Sequence, residues 1–251
     1  MNKSPIFLIL AFAVFLFSCE DNLTEGVLID KNSPEYLMTL SDSCSFTVDG
    51  QFITTQRNSS GGRGTISVGN LEANRDSVTG KVSDDTVMFH NKYGFNIDYE
   101  GFIEFNFIKK YHKKDLTKKY WNTINGPEDE LALYKVGEVP YAVDYERFNT
   151  RNGVSFVFRD VLPSYYTSSM HEIRNKPTGI NYDCQVGSSF EITKVHALPD
   201  GKFMIEAKFE ANLFTWKYNS FTGKEENREM KRLKNGYLRK RVLKADINLY
   251  N

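Results

Sequence analysis

Metal-ligand spacing is missing from this chain. The four histidines, His90, His112, His171 and His196, are never three to five residues apart, and no Cys-x-x-Cys pair occurs, so the usual zinc patterns are absent. The acidic runs Asp84-Asp85 and Glu128-Asp129-Glu130 lack calcium-loop spacing and read as turn or helix-start acids. No metal and no cofactor is expected. No Gly-x-Ser-x-Gly elbow is present for a nucleophilic serine. The glycine-rich stretch Ser59-Ser60-Gly61-Gly62-Arg63-Gly64 lacks the Gly-Lys-Ser/Thr ending of a phosphate cradle, and the strand-like Thr65-Ile66-Ser67-Val68 follows it. Charge of one sign is lacking too: 32 Lys and Arg face 32 Asp and Glu. That balance gives no footprint for nucleic acid. The apolar run Ile6–Phe17 has 12 residues, short of the about 20 that a membrane-spanning helix needs.

That short run has another use. Lys3 precedes it, and the small Ser18 and then Cys19 follow it. A cationic start, a short apolar stretch and a small residue before the cut describe a secretory signal peptide. Leu16-Phe17-Ser18-Cys19 resembles the lipobox of bacterial lipoproteins. The resemblance implies removal of residues 1–18 and acylation of the Cys19 thiol, palmitate included, leaving a protein held at the outer membrane by its N-terminus. Glu20-Asp21 resembles the export signal of surface-exposed lipoproteins in Bacteroidetes-type bacteria. This implies display on the cell surface, with a periplasm-facing anchor as the alternative.

With Cys19 lipidated, Cys44 and Cys184 remain. In an exported protein they are the pair left for a disulfide, one that closes a loop of about 140 residues and adds roughly 4–5 kcal/mol in the chain-entropy account. The other reading is two separate buried thiols that behave as small hydrophobes. Residues 19–42 read as a tether with one short strand at Val27-Leu28-Ile29, and residues 43–251 as a single domain.

Aromatic residues are plentiful, with 19 Phe and 14 Tyr, and they favour strands. Phe46-Thr47-Val48, Asp49-Gly50 and Gln51-Phe52-Ile53-Thr54 form a tight-hairpin signal. Ile103, Phe105 and Phe107 alternate with Glu104 and Asn106, and Val154, Phe156 and Phe158 share one face. From Lys202 to Leu213 the period of two is sustained: Phe203, Ile205, Ala207, Phe209, Ala211 and Leu213 on one side, Met204 among the residues on the other. Phe190 to Val195 alternates before the turn Pro199-Asp200-Gly201, so 190–213 is a hairpin. Helix is scarce; Pro127 to Tyr134 offers a turn or two. An all-β, antiparallel β-sandwich follows, with a β-barrel as the alternative.

Phe190-Glu191-Ile192-Thr193-Lys194-Val195, then Gly201-Lys202-Phe203 and Phe209-Glu210-Ala211-Asn212-Leu213, then Asn235-Gly236-Tyr237-Leu238 are similar to the C-terminal half of Bacteroidetes-type lipoproteins with β-sandwich domains of unknown function. Phe46-Thr47-Val48-Asp49-Gly50 resembles their first strand. The resemblance implies a surface lipoprotein and carries over no catalytic residue.

Binding candidates come from aromatics outside the core period. Tyr120 and Trp121 follow the basic stretch 109–119, with six Lys against Asp115, while Trp216 and Tyr218 lie in 215–229, which reads as a loop. Such rings stack on sugars or anchor a protein partner; the other reading is that they cap the ends of the sandwich. Residues 224–244 hold nine Lys or Arg against three Glu. They suit either an anionic glycan or a solvated face and a charged edge that resists aggregation. The pair His171-Glu172 suits acid–base chemistry or a solvated loop. The expectation is a lipid-anchored, non-catalytic binding module for a glycan or protein. The alternatives are a structural or accessory subunit of an outer-membrane complex or adhesin, and a hydrolase.

Overall fold

The computed structural model describes residues 30–55, 67–75, 81–97, 101–120, 124–146, 148–159, 164–168, 182–219 and 224–242. The lipobox, Val27-Leu28-Ile29 and the Ser59–Gly64 loop lie outside them. The fold is all-β and antiparallel. Its strands are β1 Ser43–Val48, β2 Gln51–Thr54, β3 Ser67–Arg75, β4 Val82–Asn96, β5 Phe102–His112, β6 Lys118–Tyr120, β7 Ile124–Gly126, β8 Gly137–Glu138, β9 Gly153–Arg159, β10 Ser164–Tyr166, β11 Ser189–Ala197, β12 Phe203–Asn219 and β13 Lys224–Val242. Among the described residues helix is confined to α1, Pro34–Thr39, and two 3-10 turns, Lys113–Asp115 and Glu130–Leu133.

Eleven strands form one sheet in the order β2-β1-β13-β12-β10-β9-β5-β4-β3, with β11 beside β12 and β8 beside β11; β6 and β7 pair separately. The sheet folds over on itself. Four strand spacings separate β1 from β9, or roughly 19 Å if the sheet were flat. Yet the rings of Phe46 and Phe158 meet edge to face with centroids 5.3 Å apart. Phe105 on β5 likewise meets Phe209 on β12 at 5.3 Å and Phe190 on β11 at 6.3 Å. The result is a sandwich made from one sheet. Its outermost strands β2 and β3 are not paired to each other, so the sheet stays open and is not a closed barrel.

The alternating sequences decide which face goes inside. Ile103, Phe105 and Phe107 are fully buried, as are Val154, Phe190, Ile192, Ile205, Ala207, Ala211 and Leu213. The β1–β2 hairpin turns at Asp49 and Gly50, both with positive φ (51° and 77°), as the two-residue turn requires. The β11–β12 hairpin forms as expected, with Phe190 opposite Phe209.

Three expectations need correction. The chain before β1 is not tether up to residue 42. Ser33 caps α1 by accepting from the Tyr36 N–H at 3.2 Å, Pro34 opens the helix, and Leu37 packs on Leu198 and Met204. The Ser-Pro-Glu start is an ordinary capping signal; it was masked by the short length of the apolar pattern behind it. For the same reason Met204 is buried, because α1 covers that part of the outer face. Thirdly, 215–229 is not a loop: β12 runs to Asn219, with Trp216 opposite Arg228 and Tyr218 opposite Glu225.

The N-terminal segment is also fixed by charge. Asp42 accepts from Lys240 Nζ at 2.5 Å and from Arg241 N and Nε at 3.0 and 3.1 Å. Burial alone raises the Asp42 carboxyl, but the two cations outweigh it and hold the group below its usual range. A carboxylate with a lowered folded pKa stabilises fully above its unfolded pKa, about 3.9, and loses that contribution as pH falls through the folded value. We therefore expect Asp42→Asn to lower the melting temperature at pH 7 and the gap to wild type to close below about pH 4. A gap that is constant from pH 7 to pH 3 contradicts the assignment.

Gly153 yields a second prediction. Its φ is +135°, and a Cβ there would sit 1.8 Å from the Pro140 carbonyl oxygen. Gly153→Ala should cost at least about 2 kcal/mol in urea unfolding, whereas alanine at the open Gly94 should cost well under half of that.

Candidate binding groove

A gap in the sheet sets up the site. β12 pairs with β11 along its first part and with β10 only at Phe214, while β10 leads on to β9. The gap between β11 and β9 is filled by residues 137–142. Gly137 and Glu138 pair with Ile192 and Glu191 of β11, and the Val139 N–H donates to the Phe190 carbonyl at 2.8 Å. The chain then crosses to β9, where Val154 N–H donates to Pro140 O and Ala142 N–H donates to Val154 O, both at 2.9 Å. Tyr141 anchors the crossing from beneath, its hydroxyl donating to Glu210 O at 2.8 Å and Ser189 O at 3.3 Å. Burial, chiefly, pushes this phenol well above its ordinary pKa, with Arg232 opposing, so it stays a donor.

The facing wall is the turn before β11. Gln185 holds it by donating to Thr167 O at 2.8 Å and Asn212 O at 2.7 Å, and by accepting from Asn212 N–H at 3.0 Å. Arg232 donates to Ser188 Oγ at 2.8 Å, to Gly187 O at 2.5 Å and to Glu210 Oε2 at 2.8 Å. Both walls are therefore tied to the sheet by hydrogen bonds.

Between them lies a groove of about 490 Å³, within the usual range for small-ligand sites, about 300–1,000 Å³. Tyr182 and Val186 line it at 42% and 75% exposure, and Val136, at 64%, directly precedes β8. Two of the seven exposed large hydrophobic residues among those described, Tyr182 and Val186, therefore lie in the lining itself, and exposed apolar side chains in a concave site suit a ligand. The Arg151 guanidinium lies over the Tyr182 ring, 4.4 Å from its centroid, which holds the ring. Glu138 and Asp183 add carboxylates to the lining.

The aromatic candidates named by the sequence are Tyr120, Trp121, Trp216 and Tyr218. Trp121 lies outside the described residues, and of the other three only the backbone is described: Tyr120 on β6, Trp216 and Tyr218 on β12. His171 and Glu172 lie outside as well. No family model, curated protein or solved structure matches the chain. Its site is therefore read from its own residues. Tyr182, Arg151 and Glu138 were missed by sequence reasoning. Tyr182 carries the same signal as the other candidates, an aromatic in the turn-rich stretch Tyr182-Asp183-Cys184-Gln185-Val186-Gly187 with no core period.

The remaining polar clusters are structural. Glu130, buried, accepts from Asn91 Nδ2 at 2.7 Å, and the Tyr93 and Tyr134 hydroxyls share a hydrogen bond of 2.6 Å. Buried His90 is within 3.2 Å of the Tyr145 hydroxyl. Among the described residues no group of three or more His, Cys, Asp and Glu can hold a metal. Four cations of the basic last strand are paired with acids of other elements: Lys231 with Asp49, Arg232 with Glu210, and Lys240 and Arg241 with Asp42. The strand is not an edge, because β13 lies between β1 and β12, so the charged-edge reading of 224–244 does not apply to it.

The structure shows no bridge between Cys44 and Cys184. Cys44 is buried on β1, and Cys184 sits beside the groove wall; both are free thiols. Burial, then Asp183, pushes the Cys184 thiol up to about 11, and burial raises Cys44 further. Thiolate, the reactive form, is scarce at neutral pH in both. In the protein purified and kept under air, a thiol reagent at pH 7.5 should react slowly with Cys184 and hardly at all with Cys44. In denaturant without reductant both should titrate. Failure to titrate either one in denaturant points to a bridge after all.

Proposed function

We propose that this chain is a lipid-anchored binding module displayed at the cell surface through Cys19, acting by holding a ligand in the groove beside Tyr182 and not by catalysis. The supporting observation is a groove whose walls are fixed by hydrogen bonds and whose lining carries the exposed side chains of Tyr182 and Val186. Preformed sites of this kind lose little entropy on binding. The lipobox-like Leu16-Phe17-Ser18-Cys19 supplies the anchor, since acyl chains together exceed the two signals that stable membrane attachment needs. The acidic pair after it supports outward display, and the Bacteroidetes-type resemblance agrees with both.

One observation favours a second role, as an accessory subunit of an outer-membrane complex. Strand β2 is an outer edge of the sheet, and Phe52 on it is 69% exposed. Edges of this kind invite pairing with another chain.

In cells fed labelled palmitate, the chain should incorporate label, reside in outer-membrane fractions and be cleaved when intact cells are treated with protease. Cys19→Ala should abolish labelling and release the protein from the membrane. Label retained by the Cys19→Ala variant refutes the anchor, and survival of the domain during shaving refutes surface display. Stoichiometric recovery of a partner through the β2 edge, lost in Phe52→Glu with Tyr182→Ala unaffected, would instead support the subunit role.

A further inference from the structure

We infer that the groove takes a neutral oligosaccharide, stacked on Tyr182 and held by side chains alone. This rests on the proposed binding role and specifies its ligand. The first ground is what the walls do not offer. A bound peptide strand needs free backbone donors and acceptors along an edge. On the inner wall the Val139 and Ala142 N–H groups and the Pro140 carbonyl already bond to β11 and β9, and Pro140 has no N–H. On the outer wall the Gly187 carbonyl is taken by Arg232, the Cys184 carbonyl by Asn212, and the Val186 and Ser188 N–H groups by the turn itself. These backbone groups are already occupied, which leaves the side chains beside them as the recognising groups.

The second ground is the chemistry of those side chains. Tyr182 presents a partly exposed ring with Arg151 stacked against it. An aromatic face held in this way suits the C–H face of a pyranose, which is apolar and flat. Around it, the Glu138 and Asp183 carboxylates and the Ser189 hydroxyl line the same groove. Carboxylates are planar acceptors that bridge two neighbouring hydroxyl donors, the pattern that a sugar ring displays and an apolar ligand lacks. Charge selects further. Two carboxylates face one guanidinium in the lining, so an anionic glycan meets net repulsion, and a neutral one does not.

The test uses the full-length lipoprotein in mild detergent. Native gels containing glucomannan, xyloglucan, laminarin or dextran are compared with gels containing alginate or polygalacturonate, and binding is quantified by calorimetry with matching hexasaccharides. Retardation is expected from at least one neutral polymer and from neither anionic one. Tyr182→Ala should weaken the affinity about tenfold, equivalent to about 1.4 kcal/mol. Tyr182→Phe, which keeps the ring, should stay within about threefold, and both variants should melt as the wild type does. Retardation by the anionic polymers alone, binding untouched by Tyr182→Ala, or no retardation by any neutral polymer overturns the inference. A chain that is palmitate-labelled and shaved from intact cells, yet bound by none of the polymers, fails this inference while its anchoring and display stand.

Discussion

Everything in this structure depends on one sheet being made to face itself. Phe105 lies where the two layers meet, with Phe156 at 5.0 Å, Phe209 at 5.3 Å and Phe95 and Phe190 at just over 6 Å between ring centroids. These aromatic pairs, tilted with Phe156 and edge to face with Phe209, Phe95 and Phe190, add about 0.5–1.5 kcal/mol each beyond area burial. They are also directional, so they fix how far the layers slide over each other. A sheet of aliphatic residues would bury as much area with less control of the angle. The high phenylalanine content is thus more than a strand preference: it holds the fold-over in place.

Folding over leaves a cost at the crease. Around β10, a strand of three residues, the ladder from one layer to the other is thin, and β11 and β9 are left with unpaired stretches facing each other. Residues 137–142 fill this space, and they can do so only because Gly153 lets the Pro140 carbonyl approach. Filling a gap with a chain crossing instead of a full strand leaves a surface depression, and that depression is the groove. Gln185 and Asn212 repair the other side of the same crease by substituting side-chain hydrogen bonds for missing ladder bonds. The ligand site and the weakest seam in the sheet are the same place. The crossing needs short loops and unusual φ values, and evolution can vary loops without disturbing the aromatic core.

Much of the fold was legible because period-two patterns report burial directly. The runs at 103–107, 154–158 and 190–213 each became strands with the expected face inward. The Asp49-Gly50 turn was legible because its chemistry allows few alternatives. What failed were judgements that depend on distant partners. Met204 looked solvent-facing because nothing local shows that α1 will cover it. Residues 215–229 looked like a loop because their mostly polar sequence carries no sustained apolar alternation. The groove was invisible for a deeper reason: Tyr182, Arg151 and Glu138 are brought together by a crease that no single stretch of sequence encodes. Cysteine counting left a bridge and two separate thiols both open for a related reason, since two cysteines in a sequence say nothing of the distance between them; the structure shows two free thiols.

The proposed anchor and the proposed site meet in the geometry of β12. If Cys19 is lipidated as proposed, the docking of α1 matters, because the chain is fixed to the domain from Ser33 onward by its cap, Leu37 and Asp42. The eleven residue steps from Cys19 to Asp30 span at most roughly 40 Å. Leu37 packs on Met204 near the start of β12, whereas the groove contacts β12 at Glu210 and Asn212, seven to nine residues beyond Phe203, or roughly 24–30 Å at strand rise. The N-terminal segment and a ligand in the groove therefore use different stretches of the same strand, so binding need not displace α1. The cations of β13 have their partners inside the fold, where they hold Asp42, Asp49 and Glu210 in place.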